Sequence, residues 1–170
     1  MTGDFLITKE FLKELYPCTD GYRWFCKTYP DGGKYQEILD RLCELDRFCD
    51  ARWLLDKVGA TDDVLEIDSI DDKEKSICFA GTIIASKNLT LKKIKAGGHI
   101  KAGEYIEAGG YIEAGWHIKA DWHIKAGKDY GVYAGIGVIL SDMKKSGYVK
   151  AQEKPENLMC GYWEGEGYEI

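Results

Sequence analysis

Between Ile94 and Ala126 the apolar and polar positions repeat with a period of six. Ile94, Ile100, Ile106, Ile112, Ile118 and Ile124 recur at that interval, and Ala96, Ala102, Ala108, Ala114, Ala120 and Ala126 follow each isoleucine by two. Strand side chains alternate faces, so each Ile and the Ala two along point the same way. The residues between them (Lys95, Lys101, Glu107, Glu113, Lys119 and Lys125) point outward. Gly97, Gly103, Gly109, Gly115, Asp121 and Gly127 come next, and Gly and Asp tolerate the backbone angles of a tight corner. The repeating unit is a short strand and a corner, with Ile and Ala lining a thin core. A helix does not fit, because six is not a helical period and a Gly in each unit costs about 1 kcal/mol relative to Ala. Collagen does not fit, because Gly is not every third residue. A parallel β-solenoid with three hexads, or eighteen residues, per coil is expected.

Eighteen residues per coil predicts which side chains sit over one another, about 4.8 Å apart. Lys95 falls over Glu113 and Glu107 over Lys125, as exposed opposite-charge pairs. His99 falls over His117, Tyr105 over His123, Tyr111 over Asp129, and Lys101 over Lys119 as a like-charge step.

Outside the hexads the pattern changes. Residues 1–60 read as helical: Lys9 to about Tyr16 capped by Thr8, about Asp20 to Thr28, Tyr35 to Leu45, and about Cys49 to Val58 stopped by Gly59. From Val64 the period falls to two, and Val64–Ile67 and Ile77–Phe79 read as strands. Gly81–Ala85 and Leu89–Leu91 read as irregular first turns of the solenoid, which Tyr130 to Leu140 continues. The tail packs over the last coil and protects its edge. The fold class expected is α+β: a helical domain over 1–60, an acidic connector with short strands over 61–80, a parallel β-solenoid over 81–140 and a C-terminal cap over 141–170.

The net charge of −6 argues against a general nucleic-acid binder. Acidity concentrates in residues 61–80, with seven acidic groups against two basic, whereas residues 81–140 carry eight basic and five acidic. No signal peptide or membrane-length apolar stretch is read, so a cytoplasmic protein with reduced thiols and no membrane partner is expected.

Candidate chemistry is sparse. His99, His117 and His123 share one repeat position with Tyr105 and Tyr111, which reads as a preference for planar rings more than as a base or a metal site. Cys18, Cys26, Cys43 and Cys49 lack the close pair of a zinc site. No phosphate loop, nucleotide fingerprint, nucleophile elbow or HExxH motif occurs, so no cofactor, metal or catalytic residue is assigned. Trp116 and Trp122, outward beside Tyr105 and Tyr111, suggest an interface. The acids Asp62, Asp63, Asp71 and Asp72 suggest mimicry of nucleic-acid phosphate toward a basic partner, against the plainer reading of a solvated linker. The acidic, aromatic ending Tyr162–Glu169 has the same two readings.

Written A-G-x-x-I-x, the hexad resembles the hexapeptide repeat of left-handed parallel β-helices, with Ala and Ile exchanged in size. A right-handed, bactofilin-like solenoid stays open. Hexapeptide-repeat acyltransferases use a solenoid histidine, and that likeness implies an enzyme as one alternative; a self-assembling structural solenoid is another. The whole chain resembles a group of phage and prophage proteins that join a helical start, here CTDGYRWF and LDRFCDARWLLDKVG, to I-x-[AS]-G hexads and a segment like YGVYAGIGV. That resemblance implies a non-catalytic inhibitor of a host defence complex of the CRISPR-Cas kind, acting in the bacterial cytoplasm by steric blocking or mimicry. The solenoid would serve as spacer or homodimer face, without direct nucleic-acid binding.

Overall fold

The computed structural model describes residues 2–165. A short antiparallel pair, β1 (Leu6–Ile7) and β2 (Gly33–Lys34), ties the start of the chain to four helices. These are α1 (Lys9–Glu14), α2 (Thr19–Thr28), α3 (Tyr35–Glu44) and α4 (Phe48–Val58). Their ends follow local chemistry. Thr8 accepts a hydrogen bond from the Phe11 N–H, and Cys18 Sγ accepts one from Gly21. Gly59 ends α4 at φ 94°, a left-handed angle that costs Gly little. Ile38, Leu39 and Leu42 of α3 recur at helical spacing and are buried against Leu54 and Leu55 of α4.

The rest of the described chain winds into a parallel β-solenoid of about six turns. One face is a single sheet in the order β15 (Tyr162–Trp163), β13 (Tyr148–Lys150), β10 (Ile118–Ala120), β7 (Ile100–Ala102), β5 (Thr82–Ala85), β3 (Val64–Ile67). A second sheet bends around the other two faces. Its strands β4 (Ile70–Phe79) and β6 (Leu89–Ala96) each serve both faces. β8 (Ile106–Ala108) and β11 (Ile124–Lys125) continue the second face, and β9 (Ile112–Ala114), β12 (Val132–Tyr133) and β14 (Leu158–Cys160) continue the third. Pairing is parallel throughout, as coiling demands. Ile and Ala of each hexad point inward and are buried, and each buried Ile contributes about 1.5–3 kcal/mol.

The eighteen-residue register holds where the hexads are regular: Ile94 pairs with Ile112, Ile100 with Ile118, and Ile106 with Ile124. It fails at the third face, where Ile112 pairs with Val132. The corner at Lys128–Asp129 holds two extra residues, so Tyr111 lies against Tyr130, ring centroids 6.1 Å apart, and not over Asp129.

The acidic segment expected as a connector forms the first coil: β3 pairs with β5 and β4 with β6. The stretch expected to run on to Leu140 leaves the coil after Ala134, which is still buried in the solenoid core. It makes an excursion over residues 135–147, with a helical turn at Leu140–Asp142 and the short α5 (Met143–Ser146), and returns as β13. The tail adds the last strands of both sheets. Residues 166–170, part of the acidic ending, lie outside the described residues.

The helical domain covers the third face. Its core cluster takes in Cys78 and Ala80 from the first coil and packs against Tyr111. Cys78, Lys95 and Glu113 stand in one outward column on consecutive coils, and the helices bury all three.

Candidate functional site

Four groups of side chains stand out. The first is that covered column. Lys95 Nζ pairs with Glu113 and lies 2.7 Å from Asp56 Oδ1, while Arg52 Nε lies 3.1 Å from Glu113 Oε2. The Lys95 and Glu113 side chains are only 5 % and 2 % exposed. The expectation of an exposed pair is therefore corrected: the vertical register holds, but α4 roofs it over. Arg52 also sits 5.4 Å from the Tyr111 ring, and Phe48 meets that ring edge-on at 5.5 Å. Burial raises the Tyr111 hydroxyl to about 12 despite the nearby Arg52. Tyr111 is a docking residue between domains, where an outward contact was expected. This group holds the fold together.

The second group is the corner leading into the first face. The His99 and His117 rings stack at 3.8 Å, and His117 stacks on Tyr148 at 4.4 Å. Trp116 lies over Gly98, its N–H bonded to the Gly98 carbonyl, and meets His99 edge-on at 5.5 Å. Burial, then His99 and the lysines Lys101 and Lys119, push His117 down to about 4. Burial lowers His99 too. Both shifts favour the neutral rings, which form part of the stack.

The third group is the corner between first and second faces. Tyr105 and His123 stack at 5.1 Å, and Trp122 lies 6.4 Å from Tyr105. His123 Nε2 is 2.9 Å from Glu107 Oε1. Trp116 and Trp122 are 46 % and 52 % exposed, but they occupy different corners, one face apart.

The fourth group is the open end of the first coil. Strands β3 and β4 have no neighbour on that side among the described strands. Half-buried Leu65, Ile67, Ile70 and Phe79 floor a hollow of about 550 Å³, rimmed by Asp40, Glu44, Asp72 and Glu74 together with Lys75. Burial raises the Asp40 carboxyl. Asp71 and Asp72 are exposed here, and Asp72 Oδ1 accepts from the Glu74 and Lys75 N–H groups at 3.0 and 3.2 Å. Asp62 and Asp63 lie at another corner of the same coil. Asp62 is exposed, whereas Asp63 accepts from the Gly3 N–H and so ties down the start of the chain.

The eight expected contact residues thus divide among three corners and one end and form no single surface. Cys18, Cys26, Cys43 and Cys49 are free thiols, and among the described residues no group of His, Cys, Asp or Glu is placed to hold a metal ion. Among them, too, no helix is long and apolar enough to cross a membrane. Sequence reasoning passed over the acids of α3 at the open end. The signal was faint: Asp40 and Glu44, one turn apart on a helix whose opposite stripe is apolar.

Residues 1–61 match the family model described as the YdhT N-terminal domain. That match covers the helical domain and ends where the solenoid begins. No curated protein and no solved structure matches the chain significantly.

Proposed function

We propose that this chain is a non-catalytic binding protein that uses the open end of its first coil to occupy a basic, nucleic-acid-binding surface on a protein complex. The observation that carries this reading is the hollow with an apolar floor and an acidic rim. Leu65, Ile67, Ile70 and Phe79 supply burial, and on the rim Asp40, Glu44, Asp72 and Glu74 outnumber Lys75, with the exposed Asp71 on the same strand, so the end carries net negative charge. Apolar centres with charged rims suit protein partners, and like-signed acids favour a basic one. The same acids repel an identical end, which disfavours a head-to-head homodimer here. The finer reading is a phage-borne inhibitor of a host defence complex of the CRISPR-Cas kind, working in the bacterial cytoplasm by steric blocking or phosphate mimicry. It rests on the resemblance of the hexads and helical start to phage proteins.

The test is interference in cells carrying an active RNA-guided defence system, with and without the chain. Wild-type expression is expected to restore plating of a targeted phage, and Asp71→Lys with Asp72→Lys to abolish the effect while leaving the protein folded. Undiminished interference with wild-type protein sinks the inhibitor reading.

An acyl-transfer enzyme is the second reading, favoured by one observation: His123 is oriented by Glu107 at 2.9 Å beside a groove of about 650 Å³. A carboxylate-held histidine is the usual form of a general base. Thermal stabilisation by acyl-CoA that is lost in His123→Ala would favour the enzyme.

A further inference from the structure

Three coils repeat one phrase on the first face: His99-Ile100-Lys101, His117-Ile118-Lys119 and Tyr148-Val149-Lys150. The register places like over like. Lys101 pairs with Lys119 and Lys119 with Lys150, so three ammonium groups stand on adjacent strands about 4.8 Å apart. Beside them runs the ring column His99, His117 and Tyr148, which Tyr162 extends as the register partner of Tyr148. Lys144, from the excursion over residues 135–147, sits 5.1 Å from the Tyr162 ring. Trp116 projects from the same corner, 46 % exposed.

Like charges on adjacent strands oppose one another, so this arrangement costs stability. Among the described residues, Glu164 is placed against the lysine column at its upper end, 3.5 Å from Lys150. Glu66 stands at the lower end of the same outward column, beyond Ile84, and Asp121 lines one hollow with Lys119, Lys150 and Glu164, while Glu104 belongs to the far corner with Trp122. Lys101 and Lys119 stand together between these acids, a local run of like charge on a chain of net negative charge.

The geometry points to a binding strip for single-stranded nucleic acid on the first face. Lys101, Lys119 and Lys150 would meet successive backbone phosphates, and Trp116 would take a base on its exposed ring. A row of cations beside an aromatic platform is the arrangement by which proteins hold single strands without reading sequence. Among the described residues the helical segment beside this strip is α5, of four residues, too short to enter a duplex groove. The strip is separate from the acidic end of the first coil, so the two sites stand or fall independently. It reverses the expectation drawn from net charge alone.

The test uses the full chain and a fluorescently labelled single-stranded oligothymidylate, read by anisotropy over a salt series. Saturable binding at low salt is expected, with log K falling against log salt at a slope of about −2 for three phosphates. Lys101→Glu with Lys119→Glu should flatten the slope to about −0.7 and weaken binding at least tenfold, whereas Lys125→Glu on the second face should change neither. Trp116→Ala should weaken binding at least fivefold. Trp116→Phe keeps a ring, retains most of the affinity and loses part of the tryptophan quenching on binding. Circular dichroism checks that each variant folds. Absence of saturable binding at low salt overturns the proposal. So does a preference for a sulfated polysaccharide over the oligonucleotide, or binding indifferent to both the lysine and the tryptophan variants.

Discussion

Lys95 and Glu113 are register neighbours on consecutive coils, and α4 seals the ion pair between them from water. Arg52 and Asp56, both on α4, complete the pair from the other side. The two domains are thus joined by charge as well as by the Phe48–Tyr111 contact. Removing one partner leaves the other buried and uncompensated. Glu113→Ala is expected to cost about 3–5 kcal/mol in denaturant unfolding. Lys95→Met with Glu113→Leu should cost far less or stabilise the protein, since Arg52 and Asp56 are half exposed and turn back to water. Equal destabilisation by the single and double variants would contradict this account.

The helical core reaches into the first coil through Cys78 and Ala80. Helices and solenoid should therefore unfold in one transition. Far-ultraviolet circular dichroism and tryptophan fluorescence are expected to report the same midpoint, and Phe48→Ala should lower both together by about 3–5 kcal/mol. Two separated transitions would show that the domains fold independently.

Gly97 and Gly115 lie at one corner, coil above coil. A Cβ on Gly115 would fall 2.0 Å from the Gly97 carbonyl oxygen, and one on Gly97 would fall 2.1 Å from that of Ala80. The obstacle is backbone, which cannot swing aside. Gly115→Ala should cost about 3 kcal/mol, the upper range for overpacking. Gly137→Ala, which meets nothing within 4 Å, is the control and should leave the melting temperature unchanged.

Burial holds His117 at about 4, below its ordinary value of 6.5. Between those values the unfolded chain binds a proton that the folded chain refuses, so stability falls as pH drops from about 6.5 toward 4 and levels off below. After solvent screening the loss is on the order of 1 kcal/mol. His117→Phe should remove that part of the acid sensitivity in a pH series of melting curves. An unchanged slope would assign it elsewhere.

Much of the architecture is written in the hexads. The period of six gives the strands, and eighteen residues per coil gives the stacks of His99 on His117 and Tyr105 on His123. A period describes neighbours along the coil axis and is silent about what lies beside it. That is why the burial of Lys95 and Glu113 could not be read from their positions in the repeat. The first coil was hidden for a different reason. Its inward Leu65 and Ile67 alternate on one strand and Ile70 begins the next, but the acids between them gave the segment the look of a linker. At Tyr111 the failure was arithmetic, since two extra corner residues displaced every later register on that face. The candidate contacts were legible as outward residues. Their division among separate corners was not, because that depends on which corner each hexad reaches.

The eighteen-residue coil also sets how such a protein varies in length. The column that fastens the helices to the third face ends at Glu113. Repeats beyond it stand clear of that fastening. Inserting eighteen residues after Ala120 adds one storey of about 4.8 Å and lengthens every face by one position. The thin core of Ile and Ala continues unchanged through the new storey. Height is thus a quantity that changes by whole coils, with the helical base left as it was.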